Sequence, residues 1–466
     1  MKKILLKVVL PLLLLLILSG LLSCILIPLY HKEVKSAPAE SLPDEHGAND
    51  GPPERVIHIE TNEDALLWRL RAIEAAEKEI SLSTYRFSDD RSGHDIASAL
   101  QHAAERGVKV NILVDGISGF LNVRGSRMFK ALANTENVSI KIYNPINLFT
   151  LWKLNYRMHD KYLIADSRMY ILGGRNTDDL FLGNYQEKQN IDRDMLVYSP
   201  EEQPGNSMQE LKAYAAKVWA LPCCKALKTG HGNSETEAQS LREHYEAMKE
   251  IYPEAFAPVD WEKETMAVNS VKLLSNPVET KNKEPLLWSS LVEQMKKAER
   301  CTIQTPYVIC SKSMYEDLSS VSAGGSTVEI ATNSVESGAN PFGCADLLNQ
   351  KGNILKTGAG IYENMGEHSS HAKTLLLDND ISIVGSFNCD MRSAYLDTEL
   401  MLLIDSPQLN SELRGVLDEN MSLYRSQLPD GSTDICAECE DTELTGGRKI
   451  IFSLLRFISP PIRQLF

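Results

Sequence analysis

Residues 157–176 read RMHDKYLIADSRMYILGGRN, and residues 369–388 read SSHAKTLLLDNDISIVGSFN. Laid side by side without a gap, both stretches place a histidine, a lysine and an aspartate in HxKx4D spacing. These are His159, Lys161 and Asp166 in the first and His371, Lys373 and Asp378 in the second. Each then closes on a glycine-led turn ending in asparagine, Gly173-Gly174-Arg175-Asn176 and Gly385-Ser386-Phe387-Asn388. One such pattern arises readily by chance or in a core strand. Two copies with the same internal spacing and the same coda point to a duplicated unit.

The surroundings repeat as well. Apolar periodicity predicts a helix over 65–78, a strand over 80–87, a helix over 94–106 closed by Gly107, and a strand over 108–114. The order returns further on. Leu286-Leu287-Trp288 opens a helix as Leu66-Leu67-Trp68 did, and strand-like runs follow at 301–309 and 326–331. This rhythm predicts an α/β protein of two similar halves packed about a pseudo-two-fold axis, residues 55–225 and 281–426. A connecting segment (226–280) lies between them, and a polar loop with a basic, apolar tail (427–466) follows.

Alternate side chains of a strand share a face, so His159 projects with Lys161 and His371 with Lys373. Brought together, the two sets would surround one anionic group, and a phosphodiester suits them. Lys161, Lys373, Asn176, Asn388 and Ser386 are the candidates to hold its oxygens. One imidazole can attack phosphorus while the other protonates the leaving alkoxide and later deprotonates the incoming water or alcohol. No metal or cofactor is required, because the lysines supply the positive charge. A nucleophilic imidazole needs an acceptor on its other nitrogen. Asp194 and Glu399, each opening an apolar run that ends at Ser-Pro, are the expected orienting acids. Asp166 and Asp378 stand where a strand turns and are counted with the catalytic set.

Composition narrows the setting. Hydrophobic residues make up 43% and charged residues 24%, as in an ordinary globular protein. The net charge of −15, from 63 acidic and 48 basic residues, disfavours a nucleic-acid partner, because sequence-blind binding rests on phosphate neutralisation. Lys2, Lys3 and Lys7 precede an apolar run over 8–30, long enough for a transmembrane helix with the body exported. Leu21-Leu22-Ser23-Cys24 offers a lipoprotein alternative through Cys24. Residues 31–54 read as a flexible tether. Cys436 and Cys439 have CxxC spacing but no second pair, and read as surface cysteines or a local disulfide. The tail over 448–466 reads either as a helix packed on the body or as one lying on lipid.

The duplicated HxKx4D motif with its G-(G/S)-x-N coda resembles the phospholipase D superfamily. The runs around His159 and His371, through Cys389-Asp390-Met391-Arg392-Ser393, are most similar to the cardiolipin synthase C-like branch of bacterial enzymes. The resemblance covers most of residues 55–425. It implies a site at the seam of two phospholipase D-like halves, with His159 as nucleophile and His371 as general acid and base. Asp194 and Glu399 would each support the histidine of the opposite half. It further implies a membrane-bound phosphatidyltransferase working through phosphohistidine on a phospholipid such as phosphatidylglycerol or phosphatidylethanolamine, at a bacterial inner membrane. Hydrolysis by a phospholipase D, a metal-independent nuclease, and an inactive membrane-tethered binding protein are the alternatives.

Overall fold

The computed structural model describes residues 10–29, 53–201, 203–228, 234–434 and 446–465. Most of the 31–54 tether, Lys2, Lys3 and Lys7, the Cys436/Cys439 pair and the side chain of Cys24 lie outside them. The architecture is two nine-stranded mixed sheets, one per half. In the first, the central order is Asp194–Tyr198, Met169–Gly173, Tyr162–Ala165, Glu79–Thr84, Lys109–Asp115, Val138–Tyr143. The second repeats it as Leu400–Asp405, Ile381–Gly385, Thr374–Leu377, Arg300–Gln304, Thr327–Asn333, Gly360–Asn364. Each half joins a parallel trio of βα-connected strands to an antiparallel hairpin carrying the motif.

Local chemistry sets the element ends. Thr61 caps helix Asn62–Ala75 by accepting the Asp64 N–H, and Asp90 caps Arg91–Glu105 by accepting that of Gly93. Gly107, at a φ of 96°, takes the left-handed turn that returns the chain to the sheet. The run expected as one strand over 301–309 is broken into Arg300–Gln304 and Val308–Ile309, with Pro306 between them, which has no N–H to donate to a ladder. The connecting stretch carries structure of its own. Its helix Glu235–Ile251 buries Leu241, Tyr245 and Met248 in the first core, and Met266–Ala267 and Ser270–Ser275 add an edge strand to each sheet.

The motif hairpins hold the halves together. Strands buried on both faces read as continuous apolar runs, and here one face of each packs against the other half. Met158, Leu172 and Val197 share a core with Leu376, Val384 and Leu402. Burial of each such side chain is worth about 1.5–3 kcal/mol. Backbone pairing crosses the seam twice. Met158 bridges Thr398, and Ser369–Ser370 runs parallel to Asn190–Ile191.

Helix Leu10–Leu29 lies against the body, with Gly20 seated on Leu151. Among the described residues, no helix is long and apolar enough to cross a membrane. The tail folds as helix Gly446–Ile458. It packs Phe452 beside Val335, Cys344 and Ala345, and leaves Ile450 and Phe457 facing outward.

Candidate active site

The two crossings of the seam deliver the histidines. His159 N–H donates to Thr398 O at 3.2 Å, and His371 N–H donates to Ile191 O at 2.6 Å. In each case the residue after that carbonyl is an acid from the opposite half. Glu399 Oε1 lies 2.9 Å from His159 Nδ1, and Asp192 Oδ2 lies 2.5 Å from His371 Nδ1. Each imidazole therefore has Nδ1 engaged by an acid and turns Nε2 toward the site, where Lys373 Nζ lies 3.3 Å from that of His371. Tyr85 packs edge-on to His159, and Phe181 packs edge-on to His371, fixing both ring planes.

Asp194, expected to orient His371, does something else. It pairs with Arg69 at 2.8 Å and Arg175 at 3.4 Å, and these neutralise it inside the first half. The register shows why Asp192 takes the role. Gly173 pairs with Asp194 and Gly385 with Met401, so Asp192 is the counterpart of Glu399. Counting seven residues back from the Ser of each Ser-Pro also reaches Asp192 and Glu399. That spacing was the available signal, and it was obscured because Asp194 opens the apolar run.

Asp166 and Asp378 are not at the site. They sit at the far end of their strands, roughly 20 Å along the chain from the histidines, with φ of 56° and 43°. The Asp166 carboxylate accepts the N–H groups of Glu77, Lys78 and Glu79, and that of Asp378 accepts those of Glu299 and Arg300. Each therefore pins the start of the neighbouring parallel strand. Asp166→Ala is expected to destabilise the fold by about 2 kcal/mol while leaving the kcat of the folded protein unchanged. Denaturant unfolding beside steady-state kinetics checks it, and a kcat loss without a stability loss would return Asp166 to the chemistry.

Ser386 also differs from expectation. Its hydroxyl donates to Glu399 Oε2, and Ser393 donates to Oε1 at 2.6 Å, so it holds the acid instead of a phosphate. At the matching position Gly174 has no side chain, and a Cβ there would overlap the Asp192 carboxylate. The shorter, hydroxyl-free side of the site thus needs glycine. Asn388 Nδ2 donates to Tyr307 Oη at 3.1 Å, while its buried Oδ1 has no hydrogen-bond partner among the described residues. Asn176 Oδ1 accepts the Arg86 N–H at 3.3 Å.

Lys161 and Lys373 are both buried and curl back onto the carbonyls of His159 and His371. Lys373 Nζ also lies 3.5 Å from Asp192. Burial pushes the Lys161 ammonium down to about 7, with Lys373 repelling and Glu399 attracting it. Burial lifts Glu399 to about 7 against the pull of Lys161 and its two serines. Asp192 is also penalised by burial, but Lys373 and His371 outweigh this and hold it well below the carboxylate range. Burial, then the nearby lysines, push both imidazoles down, that of His371 to about 3. A phosphodiester bound here would draw the lysines and His371 back toward their charged forms.

The pH dependence follows. Below about 7 Glu399 is protonated and ceases to hold His159 as an anion, and above about 7 Lys161 loses its charge. A bell-shaped kcat/KM is expected, centred near neutrality, its limbs belonging to the coupled network. Glu399→Gln should remove the acidic limb and keep the alkaline one. A flat profile across neutrality would sink this reading.

Sequence reasoning missed Asp192, Ser393, Tyr85 and Phe181. It also missed Arg193, whose guanidinium spans the seam from Glu60 at 2.6 Å to Thr374 at 2.8 Å.

Among relatives, Escherichia coli K12 cardiolipin synthase C is 26% identical over 398 residues, 75% of this chain and 81% of that protein. Bacillus cereus cardiolipin synthase 1 is 27% identical over 357 residues, 75% of this chain and 63% of that protein. The crystal structure of phosphatidylserine synthase from Haemophilus influenzae Rd KW20 shares the fold, at a TM-score of 0.64 and 14% identity over 89% of this chain and 98% of that one. Residues 70–219 and 291–421, most of the chain and the core of both halves, match the family described as cardiolipin synthase, PLD-like domain. The chain belongs to that family, and it is an enzyme of the phospholipase D superfamily.

Proposed function

We propose that the protein is a membrane-attached phosphatidyltransferase that joins a phosphatidyl group to a lipid alcohol, giving a cardiolipin-like product. The observation that carries it is the pairing of two histidines with acids of opposite halves, beside the buried lysines Lys161 and Lys373. His159 Nε2 attacks the phospholipid phosphorus, the bond to the headgroup oxygen breaks, and that oxygen takes a proton from His371 Nε2. In the second step the hydroxyl of an acceptor such as phosphatidylglycerol gives its proton back to His371. Its oxygen attacks phosphorus, and the P–N bond to His159 breaks. The lysines and Asn388 bind the non-bridging oxygens throughout.

The uncharged, apolar helix Leu10–Leu29, preceded by Lys2, Lys3 and Lys7, supports attachment to a bacterial inner membrane. Full-length protein incubated with phosphatidylglycerol, with and without phosphatidylethanolamine, should release glycerol or ethanolamine and form diphosphatidylglycerol. Phosphatidic acid as the sole product would replace the transferase with a hydrolase. Rapid DNA or RNA cleavage in chelator, without lipid turnover, would favour a nuclease.

A further inference from the structure

Away from the histidines, at the edge of the first sheet, lies a cavity of about 700 Å³ bounded by the start of helix Arg127–Asn134 and the strand Cys224–Ala226. Five cationic side chains line it: Arg124, Arg127 and Lys130 on one wall, Lys225 and Lys228 on the other. Among the described residues none of the five has an acidic partner within ion-pair distance. Elsewhere on this chain of net charge −15 some surface cations are paired, as Arg106 is with Glu74 and Arg242 with Glu105. Five uncompensated cations around one concavity repel each other unless an anion sits among them.

The rim tells which anion. The turn Gly119–Val123, leading straight into Arg124, leaves Phe120 and Leu121 exposed, Leu121 at 69%. On the other side Pro145 lines the cavity, and the segment after it exposes Leu148 and Phe149, the latter at 79%. The same segment carries Leu151, on which Gly20 of the apolar helix Leu10–Leu29 rests. A basic cavity whose rim bears outward apolar side chains, continuous with an apolar helix, matches a bilayer surface: headgroup phosphates in the cavity and acyl chains beside the rim.

We propose that this cavity is a second, non-catalytic site for the phosphate headgroup of an anionic phospholipid, which docks the first half on an anionic bilayer. The acidic body as a whole is repelled by such a surface, so this patch decides which face meets it.

The test uses the full chain in phosphatidylcholine vesicles, with and without added phosphatidic acid, which has no headgroup alcohol to release. Amide hydrogen exchange over residues 119–130 and 224–228 is followed. Exchange should slow only where phosphatidic acid is present, and inorganic phosphate at the same phosphorus concentration should not reproduce it. In Arg124→Gln/Arg127→Gln/Lys130→Gln, the lipid needed for half-maximal slowing should rise by about five-fold per charge removed. Lys225→Gln/Lys228→Gln, on the opposite wall, should shift it likewise. Turnover of a short-chain micellar substrate should be unchanged in both variants, which separates this proposal from the transferase reading. Slowing by inorganic phosphate would make the site one for a soluble anion and overturn the lipid assignment. Equal slowing on phosphatidylcholine alone, no slowing at all, or slowing kept in both folded variants would each overturn the site.

Discussion

His159→Ala is expected to lower kcat by on the order of 10⁴- to 10⁶-fold, the scale of losing a covalent nucleophile. His371→Ala should be comparably inactive on phospholipids, so rate alone does not separate the roles. A substrate with a nitrophenolate leaving group does, because an alkoxide requires a proton on departure and a nitrophenolate does not. On that substrate His371→Ala should give a burst of nitrophenol and accumulate a phosphoryl group on His159, whereas His159→Ala should give neither. The structure supports this division of labour. Burial, then Lys161, push the His159 imidazole well below its ordinary value, so it enters the reaction as a neutral nucleophile. Asp192 is held ionised beside Lys373, and so favours the imidazolium that a general acid needs once the phosphodiester has offset the lysines. Phosphoryl label trapped on His371 in the His159→Ala protein would reverse the assignment.

The two-half α/β fold was legible because a duplicated motif exposes itself by spacing, and the spacing survived without a gap over residues 157–176 and 369–388. The reactive histidines and lysines were legible for the same reason. What was lost lay where the halves are unequal. Between asparagine and acid the first half runs from Asn176 to Asp192 and the second only from Asn388 to Glu399. Counting forward from the motif therefore fails, and the acid that opens the apolar run is the wrong one. The motif aspartates misled differently. Asp166 and Asp378 repeat faithfully because a left-handed turn that accepts several backbone N–H groups suits aspartate, and that demand is structural in both halves. Ser386 repeated in neither role nor identity. It serves Glu399, and Gly174 makes room for Asp192. Repetition marks shared demands on the backbone as readily as shared chemistry.

Asp192 and Asp194, two residues apart on one strand edge, provide the sharpest contrast. Asp192→Asn keeps the size of the side chain but removes the anion that accepts the Nδ1–H of His371 and lies 3.5 Å from Lys373. An amide cannot stabilise the imidazolium, and by presenting its NH₂ to Nδ1 it favours a neutral ring whose Nε2–H is too weak an acid to protonate the leaving alkoxide. A kcat loss on the order of 10² to 10⁴ is expected in the folded protein, as for an orienting carboxylate in a catalytic triad. The nitrophenolate substrate should recover much of it, since the defect lies in the proton donor. Asp194→Asn should behave in the opposite way. It leaves Arg69 and Arg175 buried without a counter-ion, a situation that costs about 3–5 kcal/mol, so the protein should unfold more readily while the folded fraction keeps its kcat. If Asp194→Asn were folded and inactive, and Asp192→Asn active, the orienting acid would be Asp194 after all.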